Sequence, residues 1–333
     1  MRIGLAGAGR IGARHAETLR TLPEVESMVI ADVDAERARR LAGEHGARAA
    51  ATVDDLFASG LDGLVVAAAT DAHAELVTRA TAAGMPVFCE KPVAPDIVGT
   101  LQVVDAVERS GGQVQVGFQR RFDAGHVAVR DAVAAGRLGW LHTVRSCTLD
   151  PAPPPAGYIP VSGGIFRDCA VHDIDAVRFV TGREVVQVVA VGANRGEHYF
   201  AESGDVDTGA AILTLDDGTI AIISETRYNA AGYDVRLEAL GAKDSLIAGL
   251  DEHTPLASAD GDGLLEDGTP YTGFLERFSA AYVAEMRAFI RVVAGQSDSP
   301  CTPREALEAF YVAEACERSR REGRVVTIEE VRK

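Results

Sequence analysis

An apolar pentapeptide, Arg2–Ala6 (RIGLA), runs straight into Gly7-Ala8-Gly9-Arg10-Ile11-Gly12, and a helical pattern follows from Ala13 to Thr21. Three glycines at this spacing, between a strand and a helix, leave the chain few options. The first permits a tight turn, the second lets a backbone approach a pyrophosphate, and the third lets the helix pack closely on the strand. The helix start offers backbone N–H groups and a positive dipole end to phosphates. The pattern therefore predicts a dinucleotide-binding unit, with Gly7, Gly9, Arg10, Ile11 and Gly12 at the cofactor. A second apolar strand, Ser27–Ala31, ends at Asp32, about 20 residues past the glycines, where a carboxylate accepts from ribose hydroxyls and repels a 2′-phosphate. NAD is favoured over NADP, and Arg37, Arg39 and Arg40 on the next helix keep NADP open as the minor alternative.

The strand–helix alternation continues. Asp62–Ala69 is a continuous apolar run, as in a parallel strand buried on both faces. Thr70-Asp71-Ala72-His73 opens the next helix, with Thr70 or Asp71 as N-cap. Ligands of open parallel sheets bind beyond the carboxyl ends of the strands, which places Thr70 and His73 near the nicotinamide half of a cofactor. A purely structural His73 at a helix end explains the sequence equally well. Met85–Cys89 is a further strand, followed by Glu90-Lys91-Pro92. Lys91 at a strand end by a cofactor crevice is suited to hydrogen-bond a substrate hydroxyl and steady negative charge on it. Glu90 is suited to pair with Lys91 or with a ribose. After the strand Gln113–Phe118 a boundary is expected, giving a nucleotide domain over residues 1–119 and a substrate and oligomerisation domain over 120–333. A chain of 333 residues exceeds one ordinary core.

A net charge of −16 excludes the basic patch that nucleic acid or an anionic membrane surface requires. No apolar stretch approaches the ~18 residues that read as a bilayer span, and the N-terminus lacks a signal-peptide pattern. Five scattered cysteines without C-x-x-C spacing support neither a disulfide framework nor a metal site, so a reducing cytoplasm is the expected compartment.

In the second half, Gly163–Asp175 reads GGIFRDCAVHDID. On a regular helix, Asp168, His172 and Asp175 share one face. His172 exchanges a proton near neutral pH, and Asp168 one turn earlier is placed to fix its tautomer, a pairing suited to acid–base work on a hydroxyl. A helix whose polar face simply meets water explains the same residues.

Taken together, these motifs resemble those of the Gfo/Idh/MocA oxidoreductases, the glucose–fructose oxidoreductase and inositol dehydrogenase family. The resemblance covers nearly the whole chain and rests on GAGRIG at 7–12, Asp32, EKP at 90–92, GFQRRFD at 117–123 and the segment 163–175. It implies hydride transfer between NAD and a hydroxyl of a sugar or polyol, with Lys91, Asp168 and His172 as catalytic residues. Within the family the chain is most similar to the inositol 2-dehydrogenase branch. That likeness implies substrate contacts by Lys91, Arg120, Asp175 and Tyr233, the last from GYD at 232–234, with myo-inositol as substrate. The chain departs from the branch at Leu149–Pro155 (LDPAPPP), where Asp150 is a further substrate candidate. Other sugars, amino sugars or a keto-inositol stay open as substrates. Two rivals from other classes are a glycosidase using NAD for transient oxidation and a non-catalytic NAD or sugar sensor.

From Leu141 onward strand patterns follow one another without helices between them: Leu141–Leu149, Val185–Val191, Thr208–Leu215, Thr219–Thr226 and Asp234–Leu240. Asp216-Asp217-Gly218 marks a hairpin. The fold class expected is α/β, an N-terminal Rossmann domain plus a C-terminal α+β domain with a mostly antiparallel open sheet. The resemblance implies that one face of that sheet meets a second subunit in a homo-oligomer, a dimer or tetramer. His253–Thr272 reads as a loop on the substrate side, Phe274–Val293 and Arg304–Arg321 as helices with Thr302 capping the latter, and Trp140 as packed at the domain junction.

Overall fold

The computed structural model describes residues 1–259 and 268–333. The chain forms two compact units, Met1–Gln119 with Ala280–Leu307, and Arg120–Ser279 with Glu308–Lys333. The sequence predicts a single boundary after residue 119; the return of 280–307 to the first unit corrects it. The reason is packing: Met286, Phe289 and Ile290 of the helix Ser279–Val293 are buried in one apolar cluster with Ile3, Leu5, Val65 and Phe88.

The first unit is built on six parallel strands: β1 (Arg2–Ala6), β2 (Ser27–Ala31), β3 (Arg48–Ala49), β4 (Gly63–Val66), β5 (Val87–Glu90) and β6 (Val114–Gly117). Their order is β3-β2-β1-β4-β5-β6, the doubly wound arrangement with its switch point between β1 and β4. Strand β4 is buried at every residue because helices cover both faces. In-register pairing of Ala6 with Val66 and of Val66 with Cys89 brings the carboxyl ends of β1, β4 and β5 side by side. The glycine turn, residues 67–69 and Glu90-Lys91 therefore share one edge. The helix Thr70–Ala82 begins at Thr70, with Ala69 as N-cap and no side chain capping it, so neither Thr70 nor Asp71 is the cap. At the helix Pro303–Glu322, Glu305 N–H donates to Thr302 Oγ1 (3.3 Å) and Thr302 N–H to Glu305 Oε2 (2.8 Å), a reciprocal cap.

The second unit carries β7 (Leu141–Leu149), β8 (Val185–Ala193), β9 (Thr208–Leu215), β10 (Ile220–Thr226), β11 (Asp234–Gly241), β12 (Ser245–Ala248) and β13 (Val326–Thr327) in the order β12-β11-β7-β10-β9-β8-β13. Every neighbouring pair is antiparallel except β7 and β10. The β9–β10 hairpin turns at Asp217-Gly218, where Thr219 N–H donates to Asp217 Oδ1 (3.0 Å). Burial alternates along the strands. Val144, Leu213, Ala221, Ile223 and Leu237 are buried on one face, while Val189, Val191, Ile212, Ile220 and Ile222 are exposed on the other. Trp140 is 71% exposed and edges onto His142, not packed at a junction. The expected helix 274–293 is two pieces, Phe274–Arg277 and Ser279–Val293. Of the loop expected over 253–272, residues 260–267 lie outside the described residues; His253 Nδ1 is 2.7 Å from Thr269 O.

Candidate active site

In the first unit, Gly7 has φ +106°, and a Cβ there would stand 2.3 Å from Ala67 O. A Cβ on Gly12 would stand 2.1 Å from Gly7 O. Gly9 differs: a Cβ there meets nothing within 4 Å, so its missing side chain leaves room for something arriving from outside the turn. No side chain caps the helix Arg10–Arg20, which leaves its start suited to an anion. Asp32 is tied to this turn. Its Oδ2 accepts from Ala8 N–H (2.6 Å) and its Oδ1 from Asp34 N–H (2.8 Å), with Arg37 Nη1 3.6 Å from Oδ1.

Lys91 follows directly on β5, half-buried, before a cis peptide to Pro92. Glu90 uses Oε1 to pair with Nε2 of His15 at 2.6 Å. His15, fully buried on the helix that starts at the glycine turn, packs edge-on against Phe88 and Tyr282. His73 is 2% exposed, with Nδ1 2.8 Å from Pro92 O and Nε2 3.0 Å from Ala68 O. Both ring nitrogens face backbone carbonyls, so His73 ties the loop after Lys91 to the end of β4, the structural reading that the sequence left open beside a cofactor role. Thr70 is half-buried at the same edge.

In the second unit, Gly163 and Gly164, at φ +85° and +92°, turn the chain into a π-helical turn, Phe166–Ala170, that runs on into the helix Val171–Thr181. Ile165 N–H at its start donates to Asp205 Oδ1 (3.0 Å). The π turn departs from the 3.6-residue register ahead of Val171, so the spacing of Asp168 to His172 and Asp175 is not that of one regular helix. Asp168 and His172 are half-buried, whereas Asp175 is fully buried. Both oxygens of Asp175 accept from Arg121, from Nε at 2.9 Å and Nη2 at 2.7 Å. Asp175, to which the resemblance gives a substrate contact, thus forms a buried two-point ion pair with Arg121. Arg120 is likewise turned inward at 2% exposure, with Nη1 2.9 Å from Asp173 Oδ1 and Nη2 bonded to Thr148. Burial works against its charge, and Asp173 holds it protonated. The resemblance implies a substrate contact for Arg120, and its side chain is built into the interior against Thr148 and Asp173.

The parallel pairing of β7 with β10 arranges the rest. Leu149 stands opposite Thr226, and Asp234 at the start of β11 stands opposite Leu149. The residues just beyond these positions, Asp150, Arg227 and Tyr233, are therefore gathered at one sheet edge. Arg227 Nη1 donates to Asp150 Oδ2 (2.9 Å) and Nη2 to Asp168 Oδ2 (2.7 Å). Tyr158 Oη donates to Asp168 Oδ1 at 2.9 Å. Burial raises the pKa of Asp150 in spite of Arg227. Tyr233 is 5% exposed, and burial holds its phenol protonated.

The family model of the oxidoreductases with an NAD-binding Rossmann fold matches residues 1–118, and that of the GFO/IDH/MocA C-terminal domain matches residues 126–247. The chain belongs to the Gfo/Idh/MocA family. The myo-inositol dehydrogenase Hyg17 of Streptomyces leeuwenhoekii is 40% identical over 98% of this chain and 99% of its own. Among solved structures, a myo-inositol dehydrogenase from Corynebacterium glutamicum is 38% identical with TM-score 0.90, covering 98% of both chains. A scyllo-inositol dehydrogenase from Lactobacillus casei, with bound NAD(H) and scyllo-inositol, is 28% identical with TM-score 0.89, covering 99% of both.

As a Gfo/Idh/MocA oxidoreductase the protein acts on CH–OH groups with NAD. Its residues fit that cofactor. The open space at Gly9 and the uncapped helix start suit the pyrophosphate, and Asp32, fixed by Ala8, suits the ribose. Bound NAD supplies the acceptor for a hydride. Among the described residues no group of three or more His, Cys, Asp or Glu is set to hold a metal. Four residues of this family member escape sequence reasoning: His15, Arg121, Tyr158 and Arg227. Arg227 reads in sequence as an arginine after a strand. Only the β7–β10 register puts it between two carboxylates.

Proposed function

We propose that the protein is an NAD-dependent dehydrogenase of a cyclic polyol, oxidising a secondary hydroxyl of myo-inositol to the ketone. The observation that best supports this is the 40% identity, over nearly the full length, to a myo-inositol dehydrogenase. His172, with Asp168 four residues before it, takes the hydroxyl proton. Lys91 donates a hydrogen bond to the same oxygen and steadies its negative charge. The Asp150–Arg227–Tyr233 edge supplies polar groups for the remaining hydroxyls, and a site built from such groups rejects analogues that lack them. The exposed row Val189–Ile212–Ile222, in register across three strands, supports a homo-oligomer, a dimer or tetramer, joined through that sheet face. The five cysteines, none of them in a disulfide, suit the reducing cytoplasm.

The test is nicotinamide absorbance with NAD or NADP against inositols, aldoses and amino sugars. NADH formation with myo- or scyllo-inositol is expected, with NADP poorly used. Lys91→Met and His172→Ala should each lower kcat by about 10²–10⁴-fold while NAD still binds. Wild-type turnover in either variant removes that residue from the mechanism. Turnover with NADP alone overturns the role of Asp32.

A further inference from the structure

We propose that Arg227 is a positioning residue for the Asp168–His172 pair, keeping Asp168 a carboxylate engaged on both oxygens so that the pair's proton resides on the histidine. The inference rests on the roles given to Asp168 and His172 under the proposed function. Its own support is geometric. The Arg227 side chain is 5% exposed and spans two carboxylates with separate nitrogens, Nη1 on Asp150 and Nη2 on Asp168. A planar, always-charged fork does this; an ammonium, as a point charge, does not. The residue's main chain is held as well, its backbone N–H donating to Asp207 O at 2.8 Å just before β9.

The surrounding charges give this arrangement a consequence. Asp168 faces Arg227 and Asp150 at the sheet edge, Tyr158 from the turn Ala156–Tyr158, and Cys169 beside it in the π turn. Asp205 adds negative charge near Arg227, while burial pushes the fully buried Glu225 carboxyl well above the usual carboxylate range. Tyr158 and Cys169 are both held protonated by burial, so neither supplies or removes charge. Arg227 is then the group that offsets Asp150 and Asp168. Without it the negative charge of Asp168, four residues before His172, is no longer offset, and the imidazole holds its proton to higher pH. A histidine that must accept a proton from a hydroxyl is then blocked near neutral pH. Arg227 thus sets the pH at which His172 is an acceptor, and also holds Asp168 in place.

The experiment uses the full chain with Arg227→Ala and Arg227→Lys. Two readouts are taken: kcat and KM for myo-inositol across pH with NAD, and the titration of His172 in the substrate-free protein by histidine NMR, assigned with His172→Ala. In Arg227→Ala the His172 titration and the acid limb of kcat should both move up, by about one pH unit, as the charge of Asp168 is no longer offset. On the acid side of the displaced limb kcat is then about tenfold below wild type at the same pH, and added guanidinium should restore it. Arg227→Lys, which keeps a charge but not the fork, should move the His172 titration less than Arg227→Ala. If Arg227→Ala does not fold, any upward movement in Arg227→Lys supports the proposal. A His172 titration that coincides with wild type in the folded variants overturns it, as does lost activity with an unmoved acid limb. Should the wild-type protein fail to oxidise any inositol, the functional reading falls, and the His172 titration still decides the role of Arg227.

Discussion

Replacing Asp175 by Asn separates the scaffold role that the structure gives this residue from the substrate role that family resemblance implies. Asp175 is fully buried, and Arg121, 8% exposed, donates to both of its oxygens. Asn preserves the volume and one acceptor but removes the negative charge that faces a buried guanidinium. Breaking a buried pair from one side costs about 3–5 kcal/mol, and the acceptor that Asn retains places this change near the lower end, about 3 kcal/mol. At about 2–4 °C per kcal/mol for a unit of this size, the melting temperature falls by roughly 6–12 °C. Differential scanning calorimetry and urea unfolding measure it, with KM for inositol determined in parallel. Arg121→Gln combined with Asp175→Asn should be less damaging than the two single changes summed, because neither then strands a charge. An unchanged melting temperature with a raised KM refutes the reasoning and returns Asp175 to the substrate.

Gly7→Ala should destabilise the first unit, since its Cβ meets Ala67 O at 2.3 Å with φ at +106°, whereas Gly9→Ala should keep the melting temperature and weaken NAD binding in titration calorimetry. Glu285 is fully buried, and burial, then the charge of Glu90, raise its pKa well above 4.5. The folded protein therefore keeps that proton where the unfolded chain has lost it, and its stability declines as pH rises above 4.5. Glu285→Gln, neutral throughout, should gain on wild type by up to about 1.4 kcal/mol per pH unit in that window, read from urea midpoints across pH. Ile212→Glu, in the exposed row of the second sheet, should shift sedimentation toward a smaller species without moving the far-UV spectrum; unchanged sedimentation of an oligomer places the interface elsewhere.

Local signals suffice wherever neighbours in sequence are neighbours in space. The glycine spacing at 7–12, the apolar runs of β1, β2 and β4 and the Asp217-Gly218 turn depend on backbone sterics and on burial period, and all are legible without a structure. So is the placement of Asp32 and Lys91, because a parallel sheet presents its strand ends at one edge. The rest is decided by pairings between distant segments. That β7 runs parallel to β10 and antiparallel to β11 follows from no local preference, yet these two pairings set Asp150, Arg227 and Tyr233 together. Whether a charged residue faces substrate or interior is also a tertiary matter: Arg120, Arg121 and Asp175 read as site residues or as nothing in particular, and the structure turns all three inward. The π turn at Phe166–Ala170 has the same origin. Helical periodicity predicts one regular helix face, while the anchoring of Ile165 on Asp205 and of Asp168 on Arg227 and Tyr158 sets a wider turn. Sequence alone determined the chemistry carried at each strand end, because it depends on residue type and local backbone; only the tertiary structure decided which charges meet, because ion pairs form across elements whose register no local signal encodes.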